Sequence, residues 1–167
     1  MSRRATIAVV AIAGVLLTGC SGGGSSSSNG KPVDATYKRF DGSSGNLTDF
    51  RGKPVVVNFF SSTCPPCVRE MPALEKVHNQ VGDQVTFLGM DVQDTVDGGK
   101  AFIESVGITW QLGRDPDTAI LQGVMHGVAL PTTVILDAQG RIVFSKLGAL
   151  DNPADLINTL RDHQLIK

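Results

Sequence analysis

The 167-residue sequence predicts an α/β domain: a central mixed β-sheet flanked by helices on both sides. Three observations predict it. Strand-length apolar runs, such as Val55-Val56-Val57-Asn58-Phe59-Phe60, are near-continuous rather than alternating, as in strands buried on both faces. The segment that follows this run carries apolar residues three and four apart over helix length. The order is β-α-β, then α, then β-β-α, so parallel crossovers come first and a hairpin later. With 41% hydrophobic and 19% charged residues the chain is not disordered as a whole. Fifteen basic residues against 16 acidic ones leave no positive field for nucleic acid.

The first 19 residues read as an export signal. Arg3 and Arg4 precede an apolar run from Ala5 to Leu17, broken only by Thr6. That run is short of the ~20 residues a membrane-spanning helix needs. It ends in Leu17-Thr18-Gly19-Cys20, which resembles the lipobox of bacterial lipoproteins. The resemblance implies a lipidated Cys20 and cleavage just before it, and two or three acyl chains hold a protein stably on a membrane. Loss of Arg3 and Arg4 leaves 13 basic against 16 acidic residues, a net charge of −3. Residues 20–30 continue as Ser-Gly-Gly-Gly-Ser-Ser-Ser-Ser-Asn-Gly after the cysteine. Nothing there buries apolar surface, and a flexible tether of this length spans roughly 17 Å.

Residues 31–167 form one domain. Residues 37–47, with Asp41-Gly42, predict a short hairpin or edge strand at the N-terminal end. After the 55–60 strand a helix is expected over 65–81, with Val68, Met71, Leu74, Val77 and Val81 as its buried stripe. A second buried strand follows at 85–92. A helix is expected over 97–106, stopped by Gly107, and a short one over 117–122. Strands at 132–137 and 141–147 are joined by Ala138-Gln139-Gly140, a hairpin-length loop. Asn152-Pro153 caps a last helix running to about Gln164, with Asp155 at its positive end.

The chemistry points to Cys64-Pro65-Pro66-Cys67. A cysteine at the start of a helix meets free N–H groups and the positive end of the dipole, both of which favour its thiolate. Cys67 lies one turn further on, partly covered, placed to resolve a mixed disulfide made by Cys64. Pro65 and Pro66 are tolerated in a first helical turn and stiffen the ring. Structural zinc needs about four ligands. With Cys20 lipidated no further thiol remains, and His78, His126 and His163 are scattered, so no metal site and no cofactor is expected.

Phe59-Phe60-Ser61-Ser62-Thr63-Cys64-Pro65-Pro66-Cys67 is similar to the active-site segment of the thioredoxin superfamily, and more closely to its TlpA/ResA branch of membrane-tethered, extracytoplasmic thiol–disulfide oxidoreductases. Glu70 three residues after the second cysteine, Pro72 within the helix, Leu130-Pro131-Thr132-Thr133 and the Ile135–Ile142 stretch carry the resemblance further. It implies a thioredoxin fold with an N-terminal hairpin extension and a central helical insertion at about residues 95–122. It implies a redox-active Cys64–Cys67 disulfide. Glu70 would tune the thiols and take the proton of Cys67. A cis Leu130–Pro131 bond would place Leu130, Pro131 and Thr132 against a bound substrate segment. Asn58 stands where thioredoxin has a buried acid, Thr63 where a tryptophan usually stands, and His126 where an aromatic is common.

The expected partners are protein dithiols or disulfides, an upstream membrane thiol electron donor or acceptor, and the membrane itself through Cys20. Reductase direction is somewhat favoured, with cytochrome c maturation as one outlet. Two rival functions remain. A thiol peroxidase has a threonine three residues before its reactive cysteine, where this chain has Ser61. A Sco-like copper chaperone would use both thiolates with His126 as third ligand, but such proteins usually carry three residues between the cysteines.

Overall fold

In the computed structural model, which describes residues 30–150 and 152–167, β3 (Val55–Phe60) lies near the middle of a seven-stranded sheet. All six of its residues are buried. Period-2 alternation sends Val56 and Phe60 to one face and Val55, Val57 and Phe59 to the other. Asn58 falls on the Val56 side by the same alternation. The export segment, Cys20 and the tether before Gly30 lie outside the described residues.

The sheet order is β2-β1-β5-β4-β3-β6-β7. β4 (Thr86–Asp91) runs parallel to β3, and β5 (Gln111–Arg114) parallel to β4. β6 (Thr132–Leu136) and β7 (Ile142–Leu147) continue antiparallel on the other side. Their connection turns at Gly140, whose φ is +81°, as its loop position predicts. The expected N-terminal hairpin is present as β1 (Thr36–Lys38) and β2 (Ser44–Asn46), followed by a 3₁₀ turn at Leu47–Phe50. It joins the sheet edge through Lys38 opposite Arg114.

β5 is the one strand the sequence does not announce. The 95–122 insertion is α2 (Val96–Val106), then β5, then α3 (Ala119–Met125). Thr95 caps α2 by accepting the Gly98 N–H at 3.1 Å, and Gly107 ends it in the left-handed conformation. α3 begins two residues later than expected: the buried Asp115 carboxylate accepts the N–H groups of Ile120 and Leu121 and sets its start.

One face of the sheet is covered by α1 (Pro65–Val81), α2 and α4 (Pro153–Asp162), with Met71, Leu74, Val77, Phe102, Leu156 and Leu160 at the centre. The other is closed by α3 and the N-terminal segment over Val57, Phe59, Leu88 and Leu121. The expected α1 stripe needs one correction. Val68 is 39% exposed, while Cys67 and Glu70 are buried in its place. The buried arc of α1 runs through 67, 70, 71, 74, 77 and 81, which leaves Val68 at its outer edge.

Candidate active site

β3 ends at Phe60, and a turn closed by the Cys64 N–H donating to the Ser61 carbonyl (3.2 Å) delivers Cys64 to the N-cap of α1. There its Sγ accepts the Cys67 backbone N–H at 3.2 Å. Pro65 and Pro66 fill the first two helical positions, where a missing N–H costs nothing. The two cysteines form a disulfide with Cα atoms 5.3 Å apart. They are unequal in access. Cys67 is fully buried within the α1 cluster, whereas Cys64 is partly exposed at its rim.

Glu70, one turn beyond Cys67, is only 5% exposed. Its Oε1 accepts the Leu150 backbone N–H at 2.6 Å and its Oε2 the Asn58 amide at 3.3 Å. Asn58 also donates to Thr133 Oγ1 at 3.2 Å, across the β3–β6 pair that sets the two residues opposite each other. Burial pushes the Glu70 carboxyl above the ordinary range; the Leu150 N–H, the Asn58 amide and the Lys146 charge oppose the rise. Glu70 is therefore not a solvated helix charge.

The Leu130–Pro131 bond is cis. Leu130 packs at the edge of the cluster that holds Cys67, as Cys64 does. Pro131 is buried and its carbonyl accepts the Gly148 N–H. Thr132 is fully buried, and its hydroxyl donates to Ala129 O at 2.7 Å. Its side chain shapes the loop beside Pro131. His126 is exposed at the end of α3 with φ +53°. Among the described residues no group of three His, Cys, Asp or Glu side chains is placed to hold a metal ion.

Sequence reasoning missed a polar cluster beside the disulfide. Asp94 accepts from Ser61 Oγ (2.9 Å), Ser62 N (2.6 Å) and Ser62 Oγ (3.0 Å). Asp91, at the end of β4 opposite Phe60, is 1% exposed, with its Oδ2 4.0 Å from Arg114 Nε. Burial first, and the neighbouring Asp94 second, push its carboxyl up to about 7. A topological signal was available. β3 and β4 are parallel neighbours, so the loops after their carboxyl ends meet, and sites form there.

A profile of the AhpC/TSA family matches residues 30–145. The chain is similar to the thiol–disulfide oxidoreductase ResA of Halalkalibacterium halodurans, with 28% identity over 71% of this chain and 67% of that protein. ResA of Geobacillus thermodenitrificans is 32% identical over 65% of this chain and 63% of its own length, so the match spans about two thirds of these relatives. Among solved structures, a DsbF homologue from Corynebacterium diphtheriae superimposes with a TM-score of 0.70 at 30% identity, covering 80% of this chain and 87% of that one.

Proposed function

The chain belongs to the AhpC/TSA family and is a thiol–disulfide oxidoreductase of thioredoxin fold, and from that premise we propose that it exchanges its Cys64–Cys67 disulfide with exported protein substrates while tethered to a membrane through Cys20. In the reductase direction, the Cys64 thiolate attacks one sulfur of a substrate disulfide. A mixed disulfide forms and the other substrate sulfur leaves as a thiolate. Cys67, deprotonated, then attacks Cys64 Sγ, closes the ring and releases the second substrate thiolate. Two electrons pass from the pair to the substrate.

The unequal access of the two sulfurs carries this division of roles: a bulky protein disulfide meets Cys64 at the rim and has no path to Cys67. The N-cap position supports Cys64 as the sulfur that ionises more readily. The buried Glu70 supports proton uptake from Cys67, directly or through water. Leu130 and the cis Pro131 support a backbone edge for an extended substrate segment. The resemblance of the active-site segment to the TlpA/ResA branch supports the reductase direction, with cytochrome c maturation as one outlet. The likeness of Leu17-Thr18-Gly19-Cys20 to a lipobox supports anchoring through a lipid on Cys20.

The test is trapping. Reduced Cys67→Ser protein is expected to accumulate a mixed disulfide with a substrate such as insulin, and Cys64→Ser protein to form none. The reverse pattern would overturn the assignment of attacking and resolving sulfurs.

A further inference from the structure

We propose that Asp94 is a positioning residue for Cys64, holding the Ser61-Ser62-Thr63 segment in the turn that sets this sulfur at the head of α1. The inference rests on Cys64 being the attacking sulfur. Its basis is a set of hydrogen bonds whose donors can be counted. Asp94 only accepts when ionised, so the Ser61 and Ser62 hydroxyls both spend their protons on it, and the Ser62 N–H joins them. With its proton committed, Ser61 Oγ becomes an acceptor. It takes the Thr63 N–H at 3.3 Å and, at 3.0 Å, the Thr63 hydroxyl, which must then be the donor. The Ser61 carbonyl takes the Cys64 N–H. Thus one carboxylate orders every hydroxyl between β3 and Cys64.

Asp94 is itself held. Arg114 on β5 donates from Nη2 to the Asp94 carbonyl at 2.6 Å, and its Nε lies 4.0 Å from Asp91. Gln93, just before Asp94, is held at φ +69°, a conformation non-glycine residues seldom adopt. The chain thus bends to bring this carboxylate back over the segment 32 residues earlier in sequence. The network stands where Thr63 gives no apolar wall, so hydrogen bonds do the holding that packing would do.

The experiment follows Cys64 alkylation in the reduced full-length protein as a function of pH, with peptide mapping to separate the two sulfurs and thermal unfolding to confirm folding. In Asp94→Ala protein the Cys64 profile is expected to move to higher pH, with the rate at pH 7 falling about two- to fivefold, the range of a helix-terminus interaction. The Ser61→Ala/Ser62→Ala double variant, which keeps the Asp94 charge, is expected to move it the same way, and it also serves if Asp94→Ala fails to fold. A shift to lower pH in Asp94→Ala, with none in the serine variant, means Asp94 acts only as a nearby charge and overturns the proposal. So does an unmoved profile in both. A wild-type protein whose faster sulfur is Cys67 overturns the assignment of sulfurs in the proposed function, and this inference with it.

Discussion

A carboxyl group almost cut off from water keeps its proton more readily than a free one, even where a main-chain N–H and an amide donate to its oxygens and pull the other way. Glu70 is in that position. If it takes the Cys67 proton during ring closure, Glu70→Gln should slow resolution of the mixed disulfide by about 10²-fold, the low end for a positioned acid–base group. The first attack by Cys64 should be unchanged. Stopped-flow separation of the two steps checks this; equal slowing of both would show that Glu70 acts on the whole site instead. Asp91 carries a stability consequence. Its ordinary value is 3.8 and its folded value about 7, so across that interval the folded chain binds a proton the unfolded chain lacks. Its contribution is therefore full below the ordinary range and is lost as pH rises through about 7, at about 1.4 kcal/mol per unit between the two values. Asp91→Asn removes that slope. Urea unfolding at pH 5 and pH 8 should show a smaller loss for the variant than for the wild type.

At the scale of elements, α2 approaches the sheet so closely that a Cβ on Gly99 would run into Asp91 Oδ2 and lie 2.9 Å from Phe40 Cε1. Alanine favours a helix over glycine by about 1 kcal/mol, but overpacking costs about 1–3. Gly99→Ala should therefore destabilise by about 1 kcal/mol in denaturant titration, and by less in an Asp91→Ala background, where the obstructing carboxylate is gone. Equal costs in both backgrounds would place the clash elsewhere. The same close packing explains what could be read from sequence. β3, α1 and the disulfide are local: six apolar-run residues, a helical period and two cysteines within four positions declare them. β5 is not, because Gln111-Leu112-Gly113-Arg114 has neither an apolar run nor β-branched residues. It is a strand because β4 and β1 flank it, and Gly113 leaves room for the Tyr37 ring. Val68 yields its expected inward place for a related reason. Hydropathy put the valine inward, but Leu150 and Asn58 offered the carboxylate partners that made its burial tolerable. The partners of Asp94 lie 32 and 33 positions away, so no local pattern declares them and only the parallel β3–β4 topology points to the place.

For the molecule as a whole, the described domain has its own two-sided core, and the site sits at the rim where β3 and β4 end. Glu70 is tied to the segment before α4, 80 residues on, so the site is held by contacts within the described domain. On the proposed function a tether would set where the enzyme works and leave the chemistry of the site as it is. Ser21 onward is Gly- and Ser-rich up to Gly30, a composition that spans distance without packing. Replacing Cys20 removes the proposed acyl chains, each about 0.8 kcal/mol per buried CH₂, and touches nothing in the domain. Cys20→Ser protein should move from the membrane fraction to the soluble fraction outside the cytoplasm, while its insulin-reduction rate per molecule stays that of the wild type. A variant still in the membrane fraction would remove the lipid from the account. A variant released but slowed would mean that the anchor also acts on the site.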